Sequence, residues 1–308
     1  MIVVIVVIVV IVSILKVFYI YRIRNPVFMK SYSLFIVSCV FSLQVIGQPA
    51  RLIVRADDLG SSHSANEAIV KSCLQGIVTS VEVMVNTAWF PEAMRLMQEN
   101  PGIDVGLHLA ITSEWENIKW RPLTDCPSLV DKNGYFYPMV YANKNYPGQA
   151  ILENQWKIGD IEKEFRAQIE LALKNIPGIS HLSAHMGCAG LAPEVTEMTL
   201  KLAKEYNLSF ELSGVEINYA GYDGPSGTPE EKVQSFISRI SKLKPGETFL
   251  FVDHPGLDNA ELRAVHHIGY EQVAYDRQGV TDLFTSEKVK EALRQYNIQL
   301  VSYRDVLK

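Results

Sequence analysis

From Arg51 onward, short apolar runs alternate with longer amphipathic stretches, and this alternation restricts the possible folds more than any other feature of the 308-residue chain. Strand-like runs fall at 51–56, 79–85, 104–110, 179–184, 208–212, 247–252 and 298–302. Helix-like stretches lie between them, near 64–75, 90–98, 153–175, 193–205, 229–243 and 286–296. Runs such as Phe249-Leu250-Phe251-Val252 are apolar on both faces, as strands of a parallel sheet covered by helices must be. The pattern predicts an α/β fold, an irregular (β/α) barrel with seven or eight parallel strands, with an open doubly wound sheet as the competing architecture. No Gly-x-Gly-x-x-Gly follows the first strand, so a dinucleotide site has no support in the sequence.

A single folded domain is therefore expected over 51–308, and residues 1–50 stand apart from it. Residues 2–12 are an unbroken Ile/Val run, followed by Lys16, Arg22, Arg24 and Lys30. That run is short of the roughly 20 residues that span a bilayer unless it continues across Lys16. The second apolar stretch, Ser31 to Gly47 after Met29-Lys30, has the basic flank, apolar core and small residue of an export signal. Residues 1–28 then read as an upstream extension of the reading frame; the alternative is a membrane anchor. Both readings make the folded part an exported one, periplasmic or secreted, touching a membrane only through this segment.

The net charge of −5 and the lack of a basic cluster exclude a nucleic-acid partner. The four cysteines, Cys39, Cys73, Cys126 and Cys188, show no CxxC spacing, so neither a disulfide framework nor a thiolate metal site is indicated.

The first strand, Leu52-Ile53-Val54-Arg55-Ala56, ends in Asp57-Asp58-Leu59-Gly60. Adjacent strand residues point to opposite sides, so the two aspartates are expected to do different jobs, one ligating a cation and one handling a proton. On its own this motif is more simply an Asx turn that closes a strand. Three histidines change that reading. His108 lies in Val105-Gly106-Leu107-His108-Leu109, His185 follows Ile179 to Ala184, and His254 follows Phe251-Val252-Asp253. In a parallel α/β fold the carboxyl ends of strands converge on one face, where active sites form. Two imidazoles and one carboxylate are a common mononuclear hydrolytic set, with positions left open for water and substrate. Nitrogen ligands suit zinc or another first-row divalent ion, while the carboxylate also tolerates magnesium. The remaining carboxylate of the pair is then available as a proton acceptor.

These residues also resemble a family. Ala56-Asp57-Asp58-Leu59-Gly60 with Asn66 is similar to the opening motif of the YdjC-like carbohydrate deacetylases. Gly76-Ile77-Val78-Thr79-Ser80, Val105 to Leu109, Ser128-Leu129-Val130-Asp131 with Gly134-Tyr135-Phe136, His181 to Met186, and His254-Pro255-Gly256 resemble its later blocks, in order. Arg277, Asp282 and the ending Ser302-Tyr303-Arg304-Asp305 are similar too, so the resemblance spans 51–308. It implies removal of an N-acetyl group from an amino sugar or oligosaccharide by one divalent metal ion, magnesium or zinc. It also implies that Asp58, His108 and His185 hold the metal, with Asp57 as the base and His254 as the proton donor to the leaving amine. A homodimer is one assembly compatible with it. Other members commonly carry an aspartate where this chain has Ser183, and a more polar pair where it has Met186-Gly187. The first change puts the orientation of a ligand histidine in question, and the second points to a different substrate. The alternatives are hydrolysis of another amide or ester, or a sugar-binding protein of the same fold without catalysis.

Other features carry plainer expectations. Residues 112–150 bring Trp115, Trp120, Tyr135, Tyr137, Tyr141 and Tyr146 into one long connection, either to stack on sugars or to pack onto the barrel rim. A second irregular rim loop is expected over 214–228. Arg277 and Asp282 fit binding of the substrate or of the base as well as they fit a rim salt bridge. His63 is expected at a helix N-terminus, with facing the site as its alternative, His266 and His267 solvated in a loop or helix, and Tyr303-Arg304-Asp305 in a barrel-closing turn.

Overall fold

The longest strand, β1 (Ala50–Leu59), lies at the middle of the sheet, with Leu52, Ile53, Val54 and Ala56 fully buried. The structure is a computed structural model that describes residues 48–307; apart from Gln48–Ala50, the expected export or anchor segment over 1–50 lies outside the described residues. Along one edge β1 pairs with β7 (Thr248–Asp253), and along the other with β8 (Ile298–Leu300) at its start and β2 (Ser80–Val83) at its end. From β2 the sheet continues through β3 (Asp104–Leu109), β4 (Ile179–Ala184) and β5 (Ser209–Phe210); beyond β7 it adds β6 (Asn218–Tyr219). Every ladder is parallel, giving the irregular barrel-type sheet that the strand pattern predicts. Among the described residues no ladder joins β5 to β6. The segment between them instead packs Leu212, Val215 and Ile217 against Ile53, Leu250, Val301 and Tyr303.

Helices cover the sheet: α1 (His63–Gln75), α2 (Phe90–Glu99), α3 (Ile158–Asn175), α4 (Pro193–Glu205), α5 (Pro229–Ile240), α6 (Val273–Thr285), α7 (Glu287–Gln295) and the single turn α8 (Tyr303–Val306). Their starts follow local chemistry. Ser62 Oγ accepts the Ala65 N–H at 3.0 Å, and Thr228 with Glu231 closes a capping box ahead of Pro229. Phe236, Phe251 and Phe284 join α5, β7 and α6 by edge-to-face contacts at 4.8 and 6.2 Å.

Two elements were not foreseen. α6 buries Val273, Ala274, Arg277, Gly279, Val280, Thr281, Leu283 and Phe284, so it shows no single apolar stripe, and a glycine interrupts it. Gly279 lies close against α5: a Cβ there would sit 3.3 Å from the Lys232 side chain and from the Pro229 backbone, a tight contact. β6 is two residues long, inside the stretch expected to be irregular.

The long connection after β3 packs its own aromatic rings. Trp115, Trp120, Phe136 and Tyr146 are buried, whereas Tyr141 is 51% exposed. Trp115, Trp120 and Tyr146 thus pack onto the rim, while Tyr135 and Tyr137 are half-buried and Tyr141 is exposed.

The packing of α6 yields a prediction. Phe284→Ala should destabilise the fold by about 3–5 kcal/mol, while Tyr275→Ala on the exposed side of the same helix should stay within about 0.5 kcal/mol of wild type. Equal midpoints for the two variants in urea denaturation would show that α6 is not part of the core.

Candidate active site

Period-two geometry places Arg55 and Asp57 on one face of β1, and their side chains meet. Arg55 Nε lies 2.8 Å from Asp57 Oδ1 and Nη2 donates to Oδ2 at 3.0 Å, a two-point ion pair with both residues buried. Asp58 does not continue the alternation. Its φ of +70° is left-handed, a conformation that aspartate tolerates better than most residues. As a result both carboxylates border the same imidazole: Asp57 Oδ2 and Asp58 Oδ1 are each 3.8 Å from His108 Nε2. The expectation of opposite sides is therefore corrected. What separates the aspartates is their partners, because Asp58 Oδ2 accepts from Arg277 Nη2 at 2.9 Å while Asp57 belongs to Arg55.

β3 and β4 run side by side with His108 in register with Ser183, so His185 arrives just beyond β4 on the same rim. His185 Nδ1 lies 3.3 Å from Asp58 Oδ1, and its Nε2 is 3.1 Å from Glu114 Oε2. Asp58, His108 and His185 each offer a ligand atom within 4.8 Å of the others, and all three are buried. Asp58 Oδ1 is a buried oxygen that accepts no hydrogen bond. An acceptor of this kind, facing two imidazole nitrogens, fits a divalent cation, and the donor set suits zinc or a related ion.

The electrostatics follow from burial and from these neighbours. Burial opposes the charge on Asp58, yet His254, His185 and Arg277 together hold its pKa well below the ordinary carboxylate range. Burial and the nearby His185 push His108 down to about 3, which leaves its ring neutral. Burial works the same way on His185, but Glu114 and Asp58 outweigh it and raise that group to about 10.

His254 follows β7 on the same rim, its side chain 39% exposed and Nδ1 3.7 Å from Asp253 Oδ1. Burial disfavours its charge, but Asp58 and Asp253 more than offset this and its pKa rises. Asp253 is held in turn by the Tyr222 hydroxyl, which donates to it at 2.6 Å.

The other candidates separate clearly. Arg277 is buried against Asp58, with its guanidinium 5.2 Å over the Trp115 ring, and so belongs to the site rather than to a surface salt bridge. Asp282 is not part of it; Gln278 donates to it on the exposed side of α6. His63 starts α1 as expected, with Nδ1 2.9 Å from Glu92 and its ring stacked on Trp89. His266 and His267 are not simply solvated. The His266 carbonyl accepts the Glu116 N–H at 2.8 Å, and the His267 ring lies 5.5 Å from Trp115. Tyr303 opens the turn after β8, but it is fully buried and accepts from Arg55 Nη1 at 2.9 Å.

Residues not foreseen are Arg55, Glu82, Glu114 and Glu211, the last accepting from Arg55 Nη1 at 2.8 Å. Arg55 and Glu82 were visible as lone charges inside otherwise apolar strands. Glu114 and Glu211 sit in connections, where a carboxylate carries no such signal.

Comparison with known proteins places the chain. A family model described as YdjC-like protein matches residues 51–295. The chain is 34% identical over 235 residues to a carbohydrate deacetylase of Thermus thermophilus, covering 70% of this chain and 80% of that one. It is 28% identical over 277 residues to a carbohydrate deacetylase of Geobacillus stearothermophilus, covering 84% and 99%. Its fold is similar to that of a crystal structure of a putative cellobiose-phosphate cleavage protein from Enterococcus faecalis, with TM-score 0.66, 24% identity, and 84% and 99% of the two chains covered. With that span matched, the chain belongs to the YdjC-like family.

Proposed function

We propose that this protein is a metal-dependent hydrolase that removes an N-acetyl group from an amino sugar or oligosaccharide. The observation that carries this reading is the buried Asp58–His108–His185 group beside a second carboxylate, Asp57, held by a two-point ion pair. Relatives named carbohydrate deacetylase support the sugar as substrate. The apolar stretches within residues 1–50 support export as its setting.

Asp58 Oδ1, His108 Nε2 and His185 Nδ1 would hold the cation, with Glu114 fixing the far nitrogen of His185. When bound, a divalent cation supplies Lewis acidity, polarising the acetyl carbonyl and lowering the pKa of a water to about 7. The protein's own groups do the rest. Arg55 clamps Asp57 with Oδ2 facing His108, so that Asp57 accepts the proton of the attacking water. Arg277 occupies Asp58 Oδ2 and leaves Oδ1 for the cation. His254, its pKa raised, carries a proton for the amine nitrogen as the C–N bond breaks, and Asp253 holds the ring.

Acetate release from a panel of N-acetylated amino sugars and oligosaccharides tests the reading directly. Release should require a divalent cation and stop with chelator; binding of sugars without release, with the cation present, would contradict it. Asp57→Asn should still bind the cation but lose about 10²–10⁴ in kcat, and near-wild-type turnover would remove Asp57 from the role of base. A cation at about 100 times its Kd should stabilise the wild-type protein by about 2.7 kcal/mol in thermal denaturation. The same addition should leave His185→Ala unshifted, and an equal shift in that variant would place the cation elsewhere.

A further inference from the structure

One buried polar group takes no part in the roles above. Glu82, in the middle of β2, is fully buried and receives two donors: the Ser183 hydroxyl on Oε2 and His181 Nε2 on Oε1 at 2.6 Å. Ser183 Oγ lies 2.7 Å from His108 Nδ1. The His181 ring is stacked face to face on Tyr303, with centroids 3.6 Å apart. β3 makes room for this chain of contacts by carrying a glycine. A Cβ on Gly106 would lie 2.4 Å from His181 Nε2 and 2.5 Å from Glu82 Oε2.

The direction of the hydrogen bonds follows from the inventory of protons. An ionised carboxylate only accepts, and a serine hydroxyl has one proton to give. Burial disfavours the charge on Glu82, but His181 and Arg55 outweigh it and keep its pKa below the usual value. Ser183 therefore spends its proton on Glu82, and its oxygen can only accept from His108. His108 Nδ1 must then carry the hydrogen, which leaves the lone pair on Nε2, the nitrogen that faces Asp57 and Asp58.

We propose that Glu82 and Ser183 are positioning residues that fix the Nδ1–H tautomer of His108 and so present its Nε2 lone pair to the cation site. A carboxylate on β2, the strand paired with the His108 strand β3, acts here through a hydroxyl where an aspartate at position 183 would act directly. The inference rests on the hydrolase reading only for the use made of that lone pair.

The test starts with cation-free protein labelled with ¹⁵N in histidine, the His108 signals being assigned with His108→Asn. Long-range ¹H–¹⁵N correlation should show a protonated Nδ1 and a bare Nε2. Zinc alone is then titrated by calorimetry. Ser183→Ala should lose the fixed tautomer and weaken zinc about 10–100-fold, whereas Ser183→Thr, which keeps the hydroxyl, should restore both. Glu82→Gln, with its amide oxygen on His181 and its NH₂ turned to Ser183, should reverse the tautomer to Nε2–H. If Glu82→Gln does not fold, the Ser183 pair decides alone. A wild-type Nε2–H tautomer, or Ser183→Ala with unchanged tautomer and zinc affinity, would overturn the proposal. Failure of acetate release with the Nδ1–H tautomer in place would count against the reaction and not against this relay.

Discussion

Two adjacent carboxylates at the end of β1 are held by two different buried guanidinium groups, and the rest of the site is arranged around that division. Arg55 and Arg277 come from opposite ends of the folded chain and meet Asp57 and Asp58 respectively. Removing one partner from a buried pair is costly, on the order of 3–5 kcal/mol, because it leaves the other charge uncompensated. The left-handed backbone at Asp58 is a further local cost of about 1–3 kcal/mol. It turns the second carboxylate toward His108 instead of away from it. Without that turn Asp58 would point to the opposite face, and the two histidines would lack their third partner.

The sheet supplies the frame. β1 pairs on both edges and is buried on both faces, so its end is fixed more firmly than any loop could be. β3 and β4 bring one histidine each, and β7 brings His254. Two connections beside the site are tied to one another: Tyr146 donates to Glu116 and accepts the Ile268 N–H at 2.8 Å, and Asn117 donates to the Ala264 carbonyl at 2.8 Å. Trp115 contacts both His267 and Arg277, linking the packing of these connections to the ion pair on Asp58.

Much of this arrangement was legible in the sequence. The parallel sheet followed from two-sided apolar runs, and the rim constellation followed from polar residues placed at strand ends. The supporting shell was harder to read. Arg55 and Glu82 stand out only once their strands are known to be buried on both faces, since an inward charge then demands a partner. Glu114, Glu211 and the Tyr303 contact depend on how connections fold over the sheet, and no short-range pattern encodes that. The opposite facing expected for Asp57 and Asp58 failed because period-two alternation holds only while the backbone stays extended. α6 went unseen because a helix buried on several sides loses its stripe, and its glycine answers to α5 rather than to a turn.

The central claim is that the pair divides, with Asp58 on the cation and Asp57 free of it. Crystals soaked in zinc, measured at the zinc absorption edge, test it directly. The account predicts one anomalous peak about 2.0–2.2 Å from Asp58 Oδ1, His108 Nε2 and His185 Nδ1, with Asp57 still paired to Arg55. A peak ligated by Asp57 in place of Asp58, or none at this rim, would contradict it.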